Sequence, residues 1–350
     1  MTMPAHPDAP LRRRAGATRR RILRGAAALT AAGMLAACSA GGGEPTTSAS
    51  KTSGPFSYTD DRGKAINLPN LPQRIVAQAS SAAVLWDFGL RPIGVFGPQK
   101  LANGENNPQA GDVDLSAVES VGVNWGEFNV EKYASLRPDL LVTNKYGEIL
   151  WYVPEESQSK IEQVAPMAVV DLTGKSVPEA IESYAKLARA LGADLDAPAV
   201  QQARAEFEQA SEELRKAAQA KPGLKVLVVS SNKDNVYFAE PNEYGDLEYL
   251  RELGLDVVEP AGKEPFFEAV SWEQIDKYPA DLILYDTREQ EVTWPLAKVQ
   301  TMPTWKELPA VKAGQVGAWR AETPFSYQQQ TAVLRELTET INKARADVVP

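Results

Sequence analysis

One side chain in this sequence stands where covalent modification is expected, and it is the only cysteine, Cys38. Leu35-Ala36-Ala37 precedes it and ends an apolar run that starts near Ile22. The segment has the pattern of a secretory signal: a basic stretch, a short apolar stretch and small residues at the cleavage site. A cysteine directly after the cut predicts a lipobox, in which the thiol is lipidated and begins the mature chain. The alternative is a free buried thiol behind an ordinary anchor helix.

The predicted signal peptide, residues 1–37, also resembles a twin-arginine export signal, because Thr18–Arg24 contains three consecutive arginines ahead of the apolar run. It holds seven arginines and Asp8, so that of 37 basic and 46 acidic residues the mature chain keeps 30 and 45. Such an acidic chain lacks the basic footprint of a nucleic-acid-binding protein. We therefore expect an extracytoplasmic protein, anchored to the cell membrane by its lipid, with no nucleic-acid partner.

Metal chemistry is disfavoured by the residues that remain after cleavage. The mature chain loses the only histidine, His6, and any free thiol, so a closed zinc site or an axial haem ligand has almost no donors. No disulfide can form within the chain, and roughly 310 residues must be stabilised by a large core, which favours two domains. We predict no resident metal and no cofactor.

Secondary-structure patterns in the sequence indicate which elements position the candidate residues. Residues 38–55 read as a flexible, lipid-anchored linker, because Gly, Ser, Thr and Ala cannot build a core. Short apolar segments then alternate with helical patterns, which indicates a parallel α/β layer. Ser80 and Ser81 are predicted to cap a helix that runs to Trp86, and Asn129 a second one. The predicted strands are Arg74–Ala77, Pro92–Phe96, Asp139–Thr143, Met167–Asp171 and, in a second series, Leu224–Ser230.

Two helices separate the halves of the chain. Ser176 and Glu179 have the spacing of a capping box, and Asp196 is predicted to cap a longer helix that reaches about Ala220. Apolar residues on this helix step by three and four, which gives it one buried stripe; they are Val200, Ala203, Phe207, Ala210, Leu214 and Ala217. We predict an N-terminal α/β lobe at residues 56–196, a bridging helix at 197–220 and a C-terminal α/β lobe at 221–350.

An internal repeat supports two related lobes. Glu131 lies eight residues before Asp139, which opens an apolar strand, and Glu273 lies eight residues before Asp281, which opens another. The two units are offset by 142 residues and share a cap, a first-turn glutamate, a short helix and a buried strand. Chance similarity between generic helix–strand units is the alternative.

On these residues the chain resembles the substrate-binding lipoproteins of ATP-driven (ABC) importers, in the group with a rigid helical backbone that binds ferric siderophores, haem or vitamin B12. The resemblance covers Phe56 to the C-terminus, and its landmarks are Arg74-Ile75-Val76, the two repeat units and Trp305–Val316. It implies a class III substrate-binding protein: two Rossmann-like lobes, each with a mostly parallel sheet, bridged by a long rigid helix. The histidines of manganese- and zinc-binding relatives are missing, which disfavours bare metal ions.

The resemblance also implies a partner, an ABC permease dimer with its ATPase. Relatives present one surface glutamate per lobe to arginines of the two permease subunits, and Glu131 and Glu273 occupy the matching positions. A symmetric pair suits a dimeric permease approached by a monomeric binding protein. The alternative is that each acid only faces a helix dipole, which contributes a few tenths of a kcal/mol.

Ligand candidates follow from the rule that such folds bind between the lobes, at the C-terminal ends of the strands. Trp125 matches a ligand-lining tryptophan of the vitamin B12-binding relative, and Phe267 lands on an aromatic contact position of that relative. Any one aromatic could instead belong to the core. The candidates are Ser80, Ser81, Trp125, Lys145, Tyr146, Asn232, Tyr237, Phe267, Tyr285, Arg288, Trp319, Arg320 and Tyr327.

A ferric siderophore satisfies its own metal, so the protein needs only an aromatic wall and a few hydrogen bonds. Arg288, Arg320 and Lys145 could contact chelate oxygens, but so few basic candidates favour a neutral or cationic hydroxamate over a trianionic catecholate. Cobalamin is one alternative; haem, held by Tyr146, Tyr237 or Tyr327, is another. A secreted acid-catalysed hydrolase is a weaker one, because the chain lacks a Gly-x-Ser-x-Gly elbow and a histidine base. We expect a binding protein and not an enzyme.

Overall fold

The computed structural model describes residues 54–262, 264–288 and 293–349, which lie within one compact unit, Thr52–Pro350. The predicted signal peptide, Cys38 and nearly all of the predicted linker fall outside the described residues. The strands are β1 Phe56–Thr59, β2 Ala65–Leu68, β3 Ile75–Gln78, β4 Gly94–Phe96, β5 Glu119–Ser120, β6 Leu140–Tyr146, β7 Ile149–Leu150, β8 Met167–Asp171, β9 Lys225–Ser231, β10 Asn235–Ala239, β11 Asp256–Val257, β12 Phe267–Ser271, β13 Leu282–Asp286 and β14 Val316–Trp319. The α-helices are α1 Ala79–Asp87, α2 Val130–Ser135, α3 Glu155–Val164, α4 Val177–Ala190, α5 Pro198–Gln219, α6 Gly245–Glu252, α7 Leu296–Val299, α8 Pro303–Glu307, α9 Pro309–Lys312 and α10 Tyr327–Lys343.

The N-terminal sheet has β3 and β6 at its centre, with β4 and then β5 beyond β3 and with β8 beside β6; all of these pairs are parallel. Only the short β7 pairs antiparallel, at the end of β6. The central strands β3 and β6 are buried along most of their length, since apolar side chains from both faces of the sheet pack into cores with the helices. The C-terminal ends of β3, β4, β6 and β8 therefore meet at one edge.

The C-terminal sheet repeats this arrangement. Here β9 and β13 form the parallel centre, β11 pairs parallel with β9, and β14 pairs parallel with β13. An antiparallel pair, β10 and β12, extends the sheet beyond β9. The predicted fold class is thus confirmed: an α/β protein with two mostly parallel sheets. We call each sheet with its covering helices a lobe; the exact lobe boundaries stay predictions.

The repeat predicted from Glu131 and Glu273 has a structural counterpart at the start of β6 and β13. The Asp139 carboxylate accepts hydrogen bonds from the backbone N–H groups of Gln73 and Arg74, at 2.9 Å each. The Asp281 carboxylate accepts from the backbone N–H of Lys225 at 3.0 Å. Each aspartate thus fastens its own strand to the start of the neighbouring central strand, in the same manner in both lobes.

The bridging helix is α5, and its predicted apolar stripe is buried. Phe207 of this stripe stacks on Tyr249 of α6 at 6.0 Å, and its ring lies 5.8 Å from that of Tyr327. One hydrophobic core runs along this side from the N-terminal sheet to the C-terminal sheet, while each lobe has a second core of its own. Helix α5 therefore belongs to an apolar layer that both lobes share.

Two predicted helix caps are wrong. Gln78 caps α1, accepting hydrogen bonds from the backbone N–H groups of Ser80 and Ser81, so that both serines lie inside the helix. Helix α5 begins after Ala197 with no side-chain cap, and Asp196 precedes it. The caps at Asn129 and at Ser176 with Glu179 are confirmed. Within the described residues, no helix combines the length and the apolar character needed to cross a membrane.

Candidate functional site

The N-terminal lobe presents a group of aromatic rings where β6 ends, and we call it the N wall. Tyr146 ends β6, and Trp151 and Tyr152 follow β7, which folds back on β6 after Gly147. The Trp151 ring lies edge-on to Tyr146 at 5.2 Å, and Trp125 lies edge-on to Trp151 at 5.0 Å and to Tyr152 at 5.1 Å. Trp125 is 46% exposed, so it forms the rim of this wall.

The C-terminal lobe presents a second group, which we call the C wall: Tyr237, Tyr244, Phe267 and Trp319. Tyr244 stands at the N-cap position of α6 and lies edge-on to Trp319 at 4.9 Å and to Phe267 at 5.5 Å. Trp319 ends β14, and its indole N–H donates to the carboxylate of Asp246 at 2.7 Å, which fixes the plane of the ring. Burial raises the pKa of Asp246.

An arginine that is mostly shielded from solvent lies beside the C wall. Arg288 follows β13 and donates to both carboxylate oxygens of Asp286, at 2.7 to 3.0 Å, and to Glu322 at 2.8 Å. Its guanidinium carbon lies 5.4 Å from the centre of the Trp319 ring. Although burial opposes it, the charge of Glu322 and then that of Asp286 hold the pKa of Arg288 well above its usual range. The guanidinium is therefore a fixed cation, shared between two carboxylates.

A hydrogen-bonded line joins this arginine to the N-terminal lobe. The side-chain amide of Gln109 donates to the second oxygen of Glu322. Gln109 in turn accepts from the amide of Gln78 at 3.1 Å, and Gln78 accepts from the Ser80 hydroxyl at 2.6 Å. Each of the two glutamine amides in this line donates a hydrogen bond from its nitrogen and accepts one at its oxygen. Glu322 is thus a residue at which polar groups of the two lobes meet.

The charge of Glu322 acts on tyrosines of both walls. Burial raises the pKa of Tyr146, of Tyr152 and of Tyr244, and the charge of Glu322 acts in the same direction on all three. Tyr146 and Tyr152 belong to the N wall and Tyr244 to the C wall. One carboxylate therefore stands within electrostatic reach of both walls.

The backbone is constrained at the same place. Among the described residues, four other than glycine have positive φ, and three of them lie at this site: Tyr152 at 58°, Phe266 at 69° and Glu322 at 62°. Left-handed backbone is costly for side chains with a Cβ and is concentrated at binding and catalytic sites. This concentration marks the space between the walls as the candidate site.

Several predicted site residues lie elsewhere. Ser81 is fully buried and shares a hydrogen bond with the Tyr184 hydroxyl. Tyr285 is a core residue of the C-terminal lobe, with its hydroxyl bonded to Ser231. Tyr327 packs between α1 and α5, edge-on to Phe88. The reason is the same for all three, because each side chain leaves its element toward a covering helix and not toward the cleft.

Two basic candidates are occupied by other partners. Lys145 pairs with Asp171 at 2.7 Å. Arg320 turns away from Trp319, as successive residues of an extended segment do, and pairs with Glu336 of α10 at 2.9 Å. Asn232 lies at the edge of the C wall, where its amide donates to the Tyr237 hydroxyl at 2.8 Å.

The two predicted docking glutamates are both exposed. Glu131 stands in the first turn of α2, as predicted. Glu273 stands in a single 3₁₀ turn, Trp272–Gln274, where a hydrogen bond from the Ser271 side chain lowers the pKa of Glu273. The second repeat unit therefore has one turn of helix where the first has a short α-helix.

Sequence reasoning missed several residues of the site. Trp151 and Tyr152 follow a two-residue strand, and Tyr244 precedes a helix. Candidates taken only from the ends of long predicted strands therefore do not include them. A signal was available for Trp151 and Tyr152, since adjacent aromatics shortly after a predicted strand are the kind of side chain that lines ligand pockets. Gln109 and Glu322 carried no such signal. Across the described part of the chain, no cluster of His, Cys, Asp and Glu has the makings of a metal site.

Comparisons with known proteins agree with this geometry. A family described as periplasmic binding protein matches residues 76–323. The chain belongs to this family. Its members are binding proteins, so the prediction that the chain is not an enzyme is confirmed, as is the predicted resemblance.

Three relatives illustrate the range of similarity. The solved structure of DesE, a ferric-siderophore receptor protein from Streptomyces coelicolor, is 42% identical, covers 83% of this chain and 99% of its own, and has a TM-score of 0.79. The siderophore periplasmic binding protein from the fuscachelin gene cluster of Thermobifida fusca is 27% identical, covers 77% of this chain and 96% of its own, and has a TM-score of 0.58. The Fe(3+)-citrate-binding protein YfmC of Bacillus subtilis (strain 168) is 23% identical over 258 residues, which are 73% of this chain and 76% of that protein.

Proposed function

We propose that this protein captures a ferric siderophore between its two lobes and delivers it to an ABC importer. The observation that carries the proposal is the pair of facing aromatic walls, with Arg288 and Glu322 between them. A coordinatively saturated iron chelate needs shape and a few polar contacts but no protein ligand to the metal. The relatives named for ferric siderophores and ferric citrate point to the same class of cargo.

A neutral or cationic hydroxamate is the favoured siderophore type. Each of the three basic candidates already has a carboxylate partner: Arg288 has Asp286 and Glu322, Lys145 has Asp171, and Arg320 has Glu336. Among these candidates, a trianionic catecholate chelate would find no uncompensated cation, and it would enter a strongly acidic protein. The hydroxamate requires no such compensation, because its three bidentate groups neutralise the iron.

A fluorescence titration tests the ligand class. Trp125, Trp151 and Trp319 lie in the two walls, so a bound chelate should quench tryptophan emission saturably at sub-micromolar concentration. We expect ferric hydroxamates to do so, and free ferric ion to give no saturable response. Saturable binding of haem or cobalamin alone, or of free iron with no response to any siderophore, would overturn the proposal. The visible spectrum of protein isolated from iron-replete cells provides the second readout, since haem gives a Soret band and a ferric hydroxamate a broad weak band.

We also propose that the protein is held at the extracytoplasmic face of the cell membrane through a lipid on Cys38. The lipobox sequence is the support, and no other segment of the sequence is apolar enough to serve. Replacing Cys38 by alanine should move the protein from the membrane fraction to the soluble fraction. Retention of the alanine variant after a salt wash would contradict the assignment.

Delivery is proposed to use Glu131 and Glu273 as contacts with the two permease subunits. Both are exposed first-turn acids in matching units of the two lobes. Reversal of both charges to lysine should leave siderophore affinity nearly unchanged and should reduce uptake steeply, since each attraction becomes a like-charge contact that costs several kcal/mol. The matched control reverses Glu208 and Glu213, two exposed glutamates of α5. Normal uptake by the first double variant, at equal protein level, would refute the docking role.

A further inference from the structure

The polar part of the candidate site contains more acid than base. Its guanidinium is that of Arg288, whose side chain is 13% exposed, and the carboxylates of Asp286, Glu322 and Asp246 lie around it and around Trp319. We propose that Glu322 sets the charge selectivity of the site, and that its carboxylate excludes anionic chelates and admits neutral or cationic ones. This inference rests on the proposed function and identifies the residue that determines which chelate charge the site accepts.

Glu322 is distinguished from the other two carboxylates by its position. The Asp286 side chain is fully buried, and both of its oxygens accept hydrogen bonds from Arg288. Its carboxylate is therefore occupied by the arginine. Asp246 is half-buried, and its carboxylate is occupied by the hydrogen bond from the Trp319 indole. The Glu322 side chain keeps 16% of its surface exposed and contacts both lobes. It is the carboxylate that an incoming ligand would meet.

The placement of this carboxylate is built into the chain. Residue 322 has a φ of 62°, which turns the backbone shortly after β14 and brings the side chain back toward the cleft. One oxygen then accepts from Arg288 and the other from Gln109, so both ends of the carboxylate are held. A side chain held on two sides contributes its charge at a defined point, without the rotamer freedom of a surface glutamate.

The carboxylates around Arg288 carry more negative charge than its guanidinium offsets. Asp286 alone neutralises the guanidinium as a bidentate pair, and Glu322 then adds a negative charge that no described cation of the site offsets. An anionic chelate between the walls would meet this excess at low effective dielectric, where like charges repel strongly. A glutamine at position 322 would keep the size and a hydrogen-bonding oxygen while it removes the negative charge of Glu322.

The test measures the binding of three ferric chelates to the protein and to Glu322→Gln: cationic ferrioxamine B, neutral ferrichrome and trianionic ferric enterobactin. The variant should raise the affinity for the anionic chelate relative to the cationic one at least tenfold, which is about 1.4 kcal/mol. Glu208→Gln is the matched control, because Glu208 also pairs with an arginine, Arg204 at 3.0 Å, but lies on the exposed face of α5. The control should leave the ratio unchanged.

A second variant keeps the test decisive if Glu322→Gln does not fold. Gln109→Lys places an ammonium group against the Glu322 carboxylate and should shift the ratio in the same direction, whereas Glu322→Asp retains the charge and should retain the selectivity. An unchanged ratio in Glu322→Gln or Gln109→Lys, with hydroxamate binding intact, would overturn this inference and leave the proposed function standing. Failure of the unaltered protein to bind these three chelates or any other ferric siderophore would overturn both.

Discussion

The structure predicts how Asp87 makes the stability of the protein depend on pH, in both size and sign. It ends α1, and its carboxylate accepts a hydrogen bond of 2.5 Å from Ser326, the N-cap of α10. Burial raises the pKa of Asp87 from 3.8 to about 6, and Asp112 adds to the rise, while hydrogen bonds from Ser326 and Gln329 and the charge of Arg91 oppose it. The folded protein therefore buries a carboxylate at a net cost.

The sign of the effect on stability follows from proton linkage. The folded state holds the Asp87 proton up to a higher pH than the unfolded chain does, so stability falls as the pH rises between about 4 and 6. Above that window the full cost is present, and below about pH 4 it is absent. A rise from 3.8 to about 6 corresponds to about 3 kcal/mol, at about 1.4 kcal/mol for each unit of pKa.

Replacing Asp87 by asparagine removes the charge and keeps an oxygen that can accept from Ser326. We expect the variant to be more stable than the unaltered protein at about pH 8, by up to about 3 kcal/mol, and the gain to vanish near pH 4. Urea unfolding across this pH range, followed by circular dichroism, measures both curves. Asp114→Asn is the control of opposite sign, because hydrogen bonds from Ser116 lower the pKa of Asp114. A difference for Asp87→Asn that does not depend on pH would refute the reasoning.

Three further predictions concern the packing of the lobes. Gly245→Ala should lower the melting temperature by several degrees, because the added Cβ would overlap the carbonyl oxygen of Lys175 and backbone must move. Phe207→Ala should cost about 3–5 kcal/mol in urea unfolding, since it removes the ring that stacks on Tyr249, whereas alanine at an exposed position of α5 should cost less than about 0.5 kcal/mol. Asp281→Ala should cost about 3 kcal/mol or more, because three backbone N–H groups lose their acceptor; amide hydrogen exchange should rise at the start of β9 and at the C-terminus.

The fold was predictable because its signals are local. Continuous apolar runs bounded by polar residues specify buried parallel strands, and the run Met167–Asp171 is β8 residue for residue. The capping box at Ser176 and Glu179 formed as its spacing predicts. The cap of α1 could not be predicted in the same way, because Gln78 is the last residue of β3 and glutamine is not a favoured cap. It caps α1 while its amide also bonds to Gln109, a contact between distant parts of the chain.

The candidate site was predictable only in part. A position after a strand indicates that a residue lies at the ligand-binding edge, and Trp125, Tyr146 and Trp319 do lie in the two walls. Strand position does not give the direction of the side chain, so Trp319 and Arg320 were equivalent in the sequence although they point to opposite sides. Glu322 was not predictable at all, since its role depends on a left-handed turn and on partners from both lobes.

The contacts between the lobes differ in what it costs to break them. The core around α5 is continuous from one sheet to the other, and Gly245 packs closely on the Lys175 backbone, so separation on that side would expose apolar area at about 25 cal/mol per Å². The contact between Gln109 and Glu322 is a single hydrogen bond beside partly accessible rings, which water can replace at a net cost of about 1–3 kcal/mol. We therefore expect the cleft to open at the aromatic walls while the lobes stay joined along α5, so that binding and release of the chelate depend on the polar contact at Glu322.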